Sequence, residues 1–166
     1  MNNARQKVDY AGRTVDLLLL KTVLDVPAVN QRVQVDVSDG TDEPRIVTGI
    51  EKLVQRYTLL FLNALGSTKF RPDHGTNLIP RAAKGLIYSL ATLESAAAEA
   101  NLFASRQIRL ADEGDDIPDD ERLVASEITD LVFVRAAAKV KISIRLTTAA
   151  GQSYVYIIPV NMGIRG

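Results

Sequence analysis

The feature that most constrains this chain is an apolar stripe of helical period. Ile50, Leu53, Val54, Tyr57, Leu60, Phe61, Ala64 and Leu65 recur at spacings of three and four, which puts them on one face of a helix about four turns long. Such a face must be buried against another element, so the chain needs a second layer. Thr48 and Glu51 have the spacing of a Ser/Thr-x-x-Glu capping box, in which each side chain satisfies an orphan amide of the first turn. Gly66 stands where a left-handed C-terminal cap is wanted. Lys52, Gln55, Arg56 and Asn63 occupy the opposite, polar face.

The C-terminal third supplies the other layer. From Val140 to Leu146 apolar and polar residues alternate without error, Ala149 to Gln152 reads as a turn, and Ser153 to Val160 returns; this is a β-hairpin, preceded by a strand from Glu127 to Val134. In the hairpin Lys141, Ser143 and Arg145 face away from Val140, Ile142, Ile144 and Leu146, giving one wet face and one core face. Between the two layers lies a turn-rich stretch from Gly66 to Leu78. Thr76 or Asn77 caps a short helix there, with Pro80 tolerated in its first turn. An alanine-rich helix then spans roughly Thr92 to Arg109, with Leu93, Ala97, Ala100, Ala104 and Ile108 as a narrow small-residue face and Arg106 and Arg109 complementing the helix dipole. Val15 to Leu20, Val23 to Val26 and Val33 to Val37 are β-branched or aliphatic runs, interrupted by Pro27 and Pro44, as in edge strands or an extended arm. The expected fold is α+β: helices packed on a small antiparallel sheet with a C-terminal β-hairpin. An extended β-rich N-terminal arm occupies 1–46 and the α+β domain 47–166.

Composition narrows the chemistry. At 166 residues the chain has room for one domain,. Its 20 basic residues cancel 20 acidic ones, so no nucleic-acid or anionic-membrane affinity is expected from charge. The longest aliphatic run near the N-terminus, Leu17 to Leu20, is far too short to span a bilayer. No apolar leader segment follows Met1, and a cytoplasmically made soluble protein is expected. The absence of cysteine excludes a disulfide framework and a thiol nucleophile. A single histidine, His74, excludes a multi-histidine metal site, and no metal or cofactor is expected. With Asp73 beside it His74 has the residue type of a general base, but no motif places a nucleophile, and a turn residue between Pro72 and Gly75 is the favoured reading. The acids between Asp112 and Glu121 come in pairs, with Gly114 at the third position. An EF-hand needs alternating ligands and a glycine at the sixth, so a solvated loop is expected. Glu51, Glu94 and Glu99 offer no spaced carboxylate pair of the kind glycoside hydrolysis needs. Strand edges remain, which another chain can complete through main-chain hydrogen bonds. The residues read as an assembly component.

The stretch from Thr48 to Arg56, the apolar helix after it, and Leu65-Gly-Ser-Thr-Lys-Phe-Arg-Pro-Asp-His-Gly-Thr-Asn-Leu78 resemble the baseplate wedge family of contractile phage tails, a family shared with the type VI secretion baseplate. The family turn motif falls on Gly66, Pro72, Asp73, Gly75 and Thr76, with His74 in the usual aromatic place. The likeness is best over Thr48 to Leu78 and covers about two thirds of the chain. It places the family's wedge-joining Glu-Pro-Arg motif after the third helix, where this chain has Glu121 and Arg122 without the proline; Glu43-Pro44-Arg45 stands before the first helix, the wrong place. The resemblance implies a non-enzymatic wedge subunit in the virion tail baseplate, assembled in the bacterial host cytoplasm. Its partners would be other baseplate wedge proteins, tail hub and tube, and sheath. Glu121 and Arg122 would be interface candidates, and Lys141, Ser143 and Arg145 would lie on a sheath-facing strand. The alternatives are a peptidoglycan hydrolase, from a lysozyme-like label carried by some members, and a type VI secretion component.

Overall fold

In the computed structural model, which describes residues 16–17, 46–134 and 139–161, the apolar stripe becomes helix α1 (Gly49–Leu62). The short second helix is α2 (Leu78–Ala83). The alanine-rich helix is α3 (Leu90–Asp112), longer at both ends than its periodicity indicates. Its start is set by a capping box: the Thr92 amide donates to Ser89 Oγ at 3.2 Å and the Ser89 amide to Thr92 Oγ1 at 3.0 Å. Upstream, β1 (Asp16–Leu17) pairs antiparallel with β2 (Ile46–Val47). The expected runs from Val23 to Val37, and Glu43 to Arg45, lie outside the described residues.

Downstream, β3 (Leu123–Val134), β4 (Lys139–Thr148) and β5 (Ser153–Asn161) form an antiparallel sheet in that order, with β4 in the centre. The fold is α+β. Val140, Ile142, Ile144 and Leu146 are all buried on one face of β4, as their alternation requires. In β3 the residues opposite them are Phe133, Leu131, Ile128 and Ser126. The step of three from Ile128 to Leu131 marks a β-bulge, which changes the face on which odd and even residues fall.

The helices cover this inner face and share one core with it. Leu93, Ala97, Ala100, Ala104 and Ile108 are essentially without exposure. Their small side chains let α3 approach β3 closely enough for polar ties. Ser105 Oγ and Ser126 Oγ lie 2.5 Å apart, and Arg109 Nη2 donates to Val124 O at 2.7 Å. Tyr57 stacks on Phe61 with ring centroids 5.9 Å apart and donates its hydroxyl to Asn101 Oδ1. The supposedly polar face of α1 is largely interior: Lys52 and Gln55 are buried and Arg56 is half-buried. The reason is that the helix is wrapped on several sides, and these residues find polar partners there.

Burial pushes the Tyr57 hydroxyl from 10.0 up to about 12, slightly offset by Ser105 and Ser126. Burial also raises Tyr156. A raised folded-state pKa means that the unfolded chain releases the proton first, so the contribution is intact below pH 10 and lost as pH rises through the folded value. Between pH 10 and 12 Tyr57 alone should lower the unfolding free energy by about 1.4 kcal/mol per pH unit. Urea unfolding across this range should show a shallower slope in Tyr57→Phe; an unchanged slope would contradict the assignment.

Candidate functional site

The residues singled out for function fall in three places, and the turn after α1 comes first. Helix α1 ends at Leu62, with Asn63 already extended, so Gly66 is not its C-terminal cap. The last carbonyls of the helix are claimed by another segment. The Thr76 amide donates to Asn63 O at 2.8 Å, the Leu65 amide to Thr76 O at 2.9 Å, and Thr76 Oγ1 to Phe61 O at 2.7 Å. Gly66, with φ of 78°, instead occupies the third position of a turn closed by the Ser67 amide on Ala64 O at 3.0 Å, a position where a positive φ favours glycine.

Gly75 carries the tightest constraint. Its φ is 107°, and a Cβ there would lie 2.6 Å from Asn63 O, so neither the backbone conformation nor the space admits a side chain. From the other side Gln107 on α3 clamps it: the Gly75 amide donates to Gln107 Oε1 at 2.9 Å and Gln107 Nε2 donates to Gly75 O at 2.8 Å. Thr76 also takes the Leu78 amide on its hydroxyl at 3.3 Å, which settles α2 at the end of the motif. Pro72 and Asp73 are exposed. His74 is half-buried, and desolvation together with the charge of Arg71 holds its pKa below 6.5 against the opposing pull of Asp73. The turn reading of His74 fits this placement. Gln107 carries no signal in the sequence that would have singled it out.

The acidic stretch is the second place, and it is not a solvated loop at its ends. Asp112, the last residue of α3, is buried and takes Arg56 Nη2 on Oδ1 at 2.6 Å. Its Oδ2 has no partner among the described residues. Glu121 has no exposure at all; Oε2 accepts from Lys52 Nζ at 2.7 Å and Oε1 from the Gly49 amide at 3.2 Å. The expected capping box is therefore absent: Thr48 makes no side-chain cap bond, and a carboxylate 72 residues away occupies the start of α1, where the helix dipole favours negative charge. A buried carboxylate with both oxygens engaged inside the fold is not a surface for a neighbour, which argues against an interface role for the Glu121 side chain. Arg122 is exposed, with Nη2 donating to Ile117 O at 3.0 Å. Asp115, Asp116 and Asp119 are exposed.

The sheet is the third. Lys141, Ser143 and Arg145 do lie on the outer face, but β4 is the central strand, with β3 and β5 on its two sides. Its main chain is thus committed, and it cannot take a strand from another protein. Among the described residues the sheet has two edges, β3 and β5, neither paired with a further strand. β3 already takes α3 side chains on Val124 O and Ser126 O, which leaves β5 the freer of the two. Thr148 and Gln152 are opposite and joined by the Thr148 amide on Gln152 O at 2.9 Å, so the alternation of an antiparallel ladder turns Ser153, Val155, Ile157 and Pro159 outward. Pro159 fits this, since it has no amide to give the ladder.

A groove of about 620 Å³ opens between the C-terminal halves of α1 and α3 and the loop at Arg71 and His74. Among the described residues no group of three or more histidines, aspartates or glutamates is placed to hold a metal ion, and no helix is long and apolar enough to cross a membrane. No family model matches the chain, and a search of curated proteins finds no match.

The constraint at Gly75 is measurable. Gly75→Ala should cost at least about 2 kcal/mol, positive φ and displaced carbonyl together. Gly85→Ala, with a φ of 70° but nothing within 4 Å of the added carbon, should cost about 1 kcal/mol. Chemical denaturation of both compares them; equal losses would mean that the close approach at Asn63 carries no weight.

Proposed function

We propose that this chain is a structural baseplate wedge subunit of a contractile tail. In this reading it joins wedge proteins around the hub, offers a C-terminal strand edge to the sheath, and catalyses nothing. The observation that supports it best is how the motif of the resemblance is used. Gly66 shapes the turn, Gly75 permits a backbone contact that no other residue would, and Thr76 bonds α1 and starts α2. Those residues serve architecture, which is what a scaffold protein asks of a motif. The edge of β5 supports the second half of the reading, since an outward row of main-chain groups is what strand addition requires. The virion tail baseplate is then its place and the host cytoplasm its site of assembly.

The experiment is to co-express the full chain with the wedge, tube and sheath proteins encoded beside it and to isolate complexes by a tag. A stoichiometric complex with a wedge protein is expected to survive size exclusion. Ile157→Pro, which removes one outward amide of β5 but no amide of the ladder with β4, should lose the sheath protein and keep the wedge partner. A chain that elutes alone in every combination would contradict the proposal, as would peptidoglycan digestion abolished by one carboxylate substitution.

A further inference from the structure

The groove beside the motif has a chemistry that the wedge reading does not use. Its walls are helix α1, presenting Leu59 and Leu62, and helix α3, presenting Ala111. Leu59 is 43% exposed, a large aliphatic side chain left open on an otherwise well-buried helix. The rim carries two guanidiniums, Arg56 and Arg71, beside His74, whose lowered pKa favours the neutral ring, and no carboxylate lines it. In a chain whose charges sum to zero that is a local excess. Arg56 is spent on Asp112, and Asp73 lies next to His74 in the sequence, but Arg71 forms no ion pair among the described residues.

We propose that this groove docks an amphipathic helix of a partner protein, its aliphatic face in the trough between α1 and α3 and its acidic residues on Arg71. Charge complementarity fixes the sign of the guest. An acidic guest meets the uncompensated guanidinium and gains a charge-assisted hydrogen bond, whereas a basic one meets repulsion from Arg71. Backbone chemistry fixes its form. No described strand edge borders the groove, so an extended peptide would bury main-chain amides and carbonyls without partners, each at a cost. A helix brings its backbone bonds already made and offers ridges that fit the valley between two other helices. Side chains at i, i+3 or i+4, and i+7 would supply the anchors.

A displayed library of random 16-residue peptides, selected on the full chain and counter-selected on Leu59→Glu, tests this without a known partner. Leu59 is open enough for the substitution to leave the core alone, and circular dichroism checks it. Enriched peptides should carry aliphatic residues at helical spacing and an excess of aspartate and glutamate. In fluorescence anisotropy their affinity should fall at least tenfold on Arg71→Glu, and hydrogen exchange should slow at 56–63 and 108–111 when they bind. Basic or extended consensus sequences would overturn the proposal, as would peptides that bind wild type and both variants alike. Absence of enrichment would overturn it too. In that case hydrogen exchange of the free chain and sedimentation would distinguish occupation by residues 18–45 from occupation by a second copy.

Discussion

The structure hangs on a carboxylate that never meets water. Glu121 sits just before β3, and both of its oxygens are used at the start of α1, on Lys52 Nζ and on the Gly49 amide. Removing two charges from water is expensive, and a buried pair holds only where its geometry satisfies the remaining hydrogen-bonding groups. Here it does, because the acceptor also serves as a helix cap. The price of that arrangement is visible at Gly49, whose φ is 63° and whose missing Cβ would lie 3.0 Å from Asp120 Oδ2. A side chain there would have to adopt a positive φ and make the Asp120 carboxylate give way,. With the beginning of α1 fixed against the beginning of β3, the rotation of the helix is set, and Leu53, Tyr57, Leu60 and Phe61 all turn into the core.

The opposite end of α1 is held by different means. There the ties are uncharged: Thr76 on Phe61 and Asn63, and Gln107 on both polar groups of Gly75. One helix is thus pinned at its start to the sheet and at its end to α3, with the apolar stripe in between. A rigid unit of this kind suits the proposed work of a wedge subunit, which has to hold the position of its neighbours. The groove at Leu59 lies on the helix fixed by these ties, and the edge of β5 on a strand held by its ladder to β4.

What the sequence made legible was local. The apolar stripe, the small-residue face of α3 and the alternation of β4 each repeat within a few residues, so their period survives any tertiary context. What it hid was distant. Thr48, at capping distance from Glu51 in sequence, makes no side-chain cap bond, and a carboxylate 72 residues away takes the Gly49 amide at the start of α1. Lys52 and Gln55 read as a wet face because nothing nearby announces their buried partners. Gly66 read as a helix cap because the claim of Thr76 on the carbonyls of Phe61 and Asn63 is not local. The bulge after Ile128 blurred the alternation of β3. Ser89 and Thr92 were within reach of a sequence reading, being a local capping pair, and set the start of α3 two residues earlier than its apolar face indicates.

The same distance effect governs the carried-over role of Glu121. A resemblance assigns it to a neighbour; its surroundings assign it to the interior. A double-mutant cycle on Lys52→Met and Glu121→Gln, followed by chemical denaturation, decides between them. Each single change should cost about 3–5 kcal/mol by leaving a partner buried and uncompensated, and the pair together should cost well under the sum. Small, additive losses in a fully folded Glu121→Gln chain that no longer binds its wedge partner would contradict the account, because the carboxylate would then be serving the assembly and not the fold.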